Sequence, residues 1–166
     1  MSEQPERGGA RDFGGRVRPE YSPRRNGDPD PGEVVWAWVP YEEDPASGKD
    51  RPLLVIGHDV TDPEVLVGLM LSSRDHGGDR GWFPVGAGPW DRENRPSWVR
   101  LDRPLAVRAG AVRREGAALP VETFLAVVER AVAAPRPSRP SSSPAPAAAP
   151  ARPGLLSRLK GVFRRR

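Results

Sequence analysis

The hydrophobic positions of this chain fall into short runs separated by polar spacers rich in glycine and proline. Residues 33–39 are apolar on both faces, with Val34, Trp36 and Trp38 on one and Val35, Ala37 and Val39 on the other. Side chains alternate across a strand, so this pattern predicts a strand covered on both sides, by a barrel interior and by a helix or partner. Residues 51–57 run from Arg51 and Pro52 through four aliphatics to Gly57 and predict a second strand, because proline is tolerated near a strand's start. Residues 65–73 predict a third strand, 82–85 a short fourth, and 97–101 and 105–107 two more. The spacers at 41–50, 75–81 and 86–96 predict loops, the first of them long for a hairpin. Phe124, Val127, Val128 and Ala131 then recur at helical spacing after Pro120, predicting an amphipathic helix over 121–134. Five or six strands and a terminal helix within residues 31–134 predict a mainly β domain, a small SH3-like or Greek-key barrel with a C-terminal helix.

Outside that block the pattern stops. Residues 1–30 mix Gly, Pro, Arg and Asp with almost no aliphatics and predict a disordered arm, too poor in apolar surface to offset its ordering entropy. Residues 135–153 are Pro, Ala and Ser, a semi-stiff spacer. Residues 154–166 form a basic tail in which Leu155, Leu159 and Val162 share a helical face.

Charge changes the picture. The net +4 and sequence pI near 10.3 describe the tail, because residues 135–166 carry eight basic and no acidic residues. Residues 31–134 carry 12 basic against 16 acidic, so any affinity of the domain for nucleic acid must come from a local patch. The chain has no cysteine and only two histidines, His58 and His76. That removes disulfides, thiolate nucleophiles and Cys-ligated metal, and argues against a histidine-rich metal site. The polar N-terminus and an apolar stretch of only 65–71 predict a soluble, cytoplasmic protein.

Four segments, in order, carry a resemblance. Pro31-Gly32-Glu33-Val34-Val35-Trp36 opens the block; Gly48-Lys49-Asp50-Arg51-Pro52-Leu53-Leu54-Val55-Ile56 follows; residues 67–73 end in Ser72-Ser73; and Val99-Arg100-Leu101-Asp102-Arg103 comes last. Together they resemble the MazF/PemK toxins over residues 31–134. The resemblance implies a MazF/CcdB/Kid-like barrel, a homodimer, that needs no cofactor or metal and cleaves single-stranded RNA. The attacking group would be the RNA's own 2′-hydroxyl, leaving a cyclic phosphate and a 5′-hydroxyl. It also implies a separate antitoxin whose extended segment covers the cleft near Arg51.

Arg51 matches the family's catalytic arginine. A guanidinium offers phosphate a rigid donor fork and keeps its charge, so stabilising the transition state is its first role and proton transfer its second. Its bland alternative is a strand-start surface ion pair. Ser72 falls where the family has a catalytic threonine; it keeps the hydroxyl but lacks the methyl that restrains the rotamer. Lys49, Ser73 and Arg74 flank these two and would build the local RNA-binding patch. Trp82 and Trp90, beside Gly-rich loops, are the candidates for base stacking, whereas Trp36 and Trp38 suit core or dimer interface. His58 and His76 raise a rival, two-histidine RNA cleavage, but nothing in their spacing joins them and they read as solvated loop residues.

Two other functions fit the pattern. One is a catalytically silent barrel that binds a protein, as gyrase-inhibiting relatives do; the other is an SH3-like adaptor. For the latter the tail at 154–166 would supply weak contact with an anionic membrane, marginal for one short helix but helped by two copies in a dimer. The tail also suits a plain disordered extension or an RNA-binding arm.

Overall fold

The computed structural model describes residues 8–134, apart from the side chains of 114–116. The spacer expected at 135–153 and the basic tail expected at 154–166 lie outside the described residues, as do residues 1–7 of the arm. The described strands are β1 (Arg11–Asp12), β2 (Val17–Pro19), β3 (Glu33–Pro40), β4 (Gly48–Asp59), β5 (Val65–Ser72), β6 (Trp82–Gly86), β7 (Ser97–Arg100), β8 (Leu105–Arg108) and β9 (Val112–Ala118), followed by the helix α1 (Val121–Ala133).

They form one antiparallel system ordered β1-β8-β5-β4-β3-β9, with β2 added to β4, β7 added to β5 and β6 added to β7. β5 changes partner along its length. Its first half pairs with β8, from Val65↔Arg108 to Gly68↔Leu105, and its end pairs with β7 through Leu71↔Val99 and Ser72↔Trp98. Register shifts at Val34/Val35 and Val55/Gly57 bend β3 and β4 further. Bulges and partner switching turn a flat sheet into corners, and the result here is a curled, partly open barrel.

The doubly apolar strands are covered on both sides, as their pattern predicts. Val34, Leu54, Leu69, Leu71 and Val99 pack with Phe124 and Val127 of α1, while Val35, Ala37, Leu53, Val55, Leu66 and Leu105 form a second cluster. Phe124 and Val127 are fully buried, each stabilising the fold by on the order of 2 kcal/mol. Trp36 and Trp38, expected in the core or a dimer interface, are half-buried; Trp36 lines a cleft, and Gly9 of the N-terminal arm lies close against the Trp38 ring.

Two parts of the sequence reading are corrected here. The arm is not disordered over residues 8–30; it straps the barrel. Ala10 donates its N–H to the Trp38 carbonyl at 2.8 Å, Phe13 to Pro104 at 2.9 Å and Glu20 to Ile56 at 3.0 Å. Gly57 makes room for this: a Cβ there would lie 2.0 Å from the Arg18 carbonyl oxygen. The Tyr21 hydroxyl donates to the Leu119 carbonyl at 2.8 Å, and its ring packs 5.1 Å from that of Phe124. Strand addition draws on backbone hydrogen bonds, so the arm needs few aliphatics to order. The second correction concerns the loop expected at 41–50. β4 starts at Gly48, so Lys49, Asp50 and Arg51 lie on a strand paired with β3 through Val39↔Lys49, Trp38↔Asp50 and Ala37↔Arg51.

Candidate active site

Arg51 and Ser72 lie just beyond one end of the ladder between β4 and β5. Leu53 pairs with Met70 and Leu54 with Leu69. The ladder ends there: two residues beyond it Arg51 of β4 pairs with Ala37, and Ser72 of β5 pairs with Trp98. Opposed Leu53 and Met70 project to one face, and residues two apart on a strand share a face, so Arg51 and Ser72 lie on that same side. Both are half-buried and both line a cleft of about 820 Å³. Lys49, Ser73, Arg74, Trp82 and Trp90 line it too, so the seven candidate catalytic and RNA-binding residues border a single cavity.

Arg51 is not in the surface ion pair that its strand-start position allows. It has no carboxylate partner among the described residues. Burial lowers its pKa; Tyr41 opposes this in part, while the charges of Arg103 and Arg74 add to it. Arg100 makes the contrast. Burial works against its charge as well, but hydrogen bonds to Asp102 (2.7 Å) and to both Glu42 oxygens (3.0 Å each) raise its pKa on balance. Arg103, 7% exposed, is neutralised by Asp12 of the N-terminal strap at 2.7 Å and also donates to the Pro40 carbonyl. Arg51 is thus a partly desolvated cation left without an anion, beside two others.

Ser72 lacks the methyl of a threonine, yet its hydroxyl is oriented. The Arg74 N–H donates to Ser72 Oγ at 3.1 Å, which occupies one lone pair and leaves the hydroxyl proton free to donate into the cleft. Lys49, Ser73 and Arg74 are exposed at the rim, as RNA-contacting residues need to be.

The two tryptophans divide. Trp90 is corrected from a stacking platform to a core residue: it is 5% exposed, and its Nε1–H donates to Ser97 Oγ at 3.0 Å. Gly88 lets the ring fold inward, since a Cβ there would come within 2.2 Å of it. Trp82 stays half-buried, with its ring stacked on that of His76 at 3.6 Å and 4°. That contact overturns the reading of His76 as a solvated loop residue. Its tight loop, in which Asp79 N–H donates to the His76 carbonyl and Trp82 N–H to the Asp79 carbonyl, folds it back into the cleft. His58 sits apart, its Nδ1 hydrogen-bonded to the Pro63 carbonyl at 2.8 Å.

Sequence reasoning missed His76 and three further cleft arginines, Arg92, Arg95 and Arg113. Arg113 lies on β9, a strand whose residues carry little β pattern. With these residues the cleft lining holds six basic side chains against three acidic ones, Asp50, Asp91 and Glu93. The local basic patch that the acidic domain required is present.

A curled barrel whose net-basic cleft is lined by an arginine without a carboxylate partner among the described residues, and by a hydroxyl held by a backbone N–H, presents a surface complementary to a polyanion. The family described as PemK-like, MazF-like toxin of type II toxin-antitoxin system matches residues 30–134, and the chain belongs to it. It is the toxin type of such a system. No curated protein matches the chain. No helix among the described residues is long and apolar enough to cross a membrane.

Proposed function

We propose that this toxin is a metal-independent endoribonuclease that cleaves single-stranded RNA by attack of the RNA's 2′-hydroxyl on the adjacent phosphate. The observation that carries this reading is that Arg51 and Ser72, on neighbouring strands, line one open, net-basic cleft. When the substrate supplies its own nucleophile, the protein must neutralise charge growing on the non-bridging oxygens and orient the phosphate. Arg51 does the first with a guanidinium that has no anion of its own. Ser72 does the second with its free proton. Lys49, Ser73 and Arg74 hold the flanking phosphates, and Trp82 offers an aromatic edge to a base. The protein acts in the cytoplasm as a homodimer, and its antitoxin silences it by laying an extended segment over the same cleft.

The test uses the purified full chain and a defined single-stranded RNA in EDTA. The expected products are a 2′,3′-cyclic phosphate and a 5′-hydroxyl, with no cutting by Arg51→Ala. RNA left whole by the wild type as well would sink the nuclease reading in favour of a protein-binding barrel. Membrane contact through residues 154–166 is judged separately by liposome co-sedimentation with and without that tail.

A further inference from the structure

The reaction needs a group that takes the proton from the attacking hydroxyl, and the lining of the cleft narrows the choice. Guanidinium and ammonium groups are in general poor proton acceptors. The cleft's three carboxylates are each engaged by an arginine, Asp50 by Arg113, and Asp91 and Glu93 by Arg95. One imidazole remains, that of His76.

Stacking, not hydrogen bonding, holds this ring. It lies flat on Trp82, with Trp98 edge-on at 6.4 Å. Nε2 is buried without a partner, and neither ring nitrogen is hydrogen-bonded among the described residues. Leaving a buried ring nitrogen unpaired costs about 1–3 kcal/mol, a penalty that native structures tend to retain where chemistry uses the group. In the tautomer protonated at Nε2, Nδ1 carries a lone pair that no group among the described residues claims.

We propose that His76 is a further catalytic residue of this cleft, its neutral imidazole accepting the proton of the RNA 2′-hydroxyl. The proposal rests on the endoribonuclease reading. The 2′-oxygen bonds to phosphorus as the bond from phosphorus to the 5′-oxygen breaks. The 2′-hydroxyl proton passes to the ring nitrogen and then to water, and the departing 5′-oxygen takes a proton from solvent. A cyclic phosphate and a 5′-hydroxyl result, and the imidazole returns to its neutral form. The charged groups facing the ring are Arg74, Asp75 and Asp79 of its own loop and Arg100 of β7; Trp82 and Trp98 are its uncharged walls. Asp75 and Asp79 each accept a backbone N–H, from Gly77 and Gly81, and Arg100 is matched by Asp102 and Glu42. Desolvation is the largest influence and lowers the His76 pKa below its usual 6.5, so the base form is present at neutral pH.

The experiment follows single-turnover cleavage of an oligoribonucleotide by the full chain between about pH 5 and 8. The wild type should show an acid limb with its midpoint below 6.5 and a plateau above it. His76→Gln should lower the plateau about 100-fold and abolish the limb. His76→Phe keeps a flat ring on Trp82 but has no nitrogen, so it should match His76→Gln. Added imidazole should partly restore His76→Ala in proportion to its free-base concentration. A His76→Phe enzyme with wild-type rate and limb would reduce His76 to packing and overturn the proposal, while the nuclease reading stood. RNA uncut by the wild type at every pH would bring down both.

Discussion

Strands β4 and β5 share a ladder whose two ends differ in character. Where β4 finishes and β5 begins, the polar groups answer one another. Asp59 accepts from the Thr61 N–H and hydroxyl, Asp62 accepts from the Glu64 N–H, and Arg108 reaches both Asp62 and Glu64. At the opposite end Arg51 and Lys49 have no ion-pair partner among the described residues, and His76 has no hydrogen bond to its ring. Charge divides the same way. The cleft lining holds six basic and three acidic residues, which leaves six basic and thirteen acidic for the rest of residues 31–134. One end spends its polar groups on holding a turn. The other leaves several of them open to the cleft.

The sharpest way to break this comparison is at Arg51. Arg51→Met should lower RNA cleavage by about 10³-fold. The melting temperature should hold or rise, because the substitution removes a partly desolvated charge that no internal anion rewards. A falling melting temperature with intact cleavage would make Arg51 an ordinary structural residue. Ser72 comes next. Ser72→Ala should cost about 10²-fold in the cleavage step, and Ser72→Thr should stay close to the wild type, since the hydroxyl that Arg74 orients is retained. The smallest effect belongs to the satisfied end. Arg108, 57% exposed, makes surface ion pairs, so Arg108→Ala should change stability by less than about 1 kcal/mol in denaturant unfolding and leave cleavage unaltered. A marked loss of cleavage there would erase the distinction between the two ends.

The sequence made legible what periodicity encodes. The paired apolar faces of β3, the aliphatic run of β4 and the helical spacing of Phe124 and Val127 announce the barrel and its helix. The order of motifs around Arg51 and Ser72 pointed to the cleft. Three features left no such trace. β9 and the N-terminal strap are ordered by main-chain pairing along existing edges, which composition does not record. Trp90 sits among glycines that look like an exposed loop, yet Gly88 is what lets the ring turn inward. His76 meets Trp82 through a turn of the 75–81 loop, a contact that no apolar period signals.

The strap also relocates the start of the folding unit. The recognisable motifs begin at Pro31, but a chain cut there would lose the segments lying along β4 and β8 and the Asp12 carboxylate that neutralises Arg103. Bare edges of that kind recruit other chains into intermolecular sheets. The smallest fragment that keeps these edges covered therefore begins well upstream of its own signature, in a stretch whose composition looks like filler.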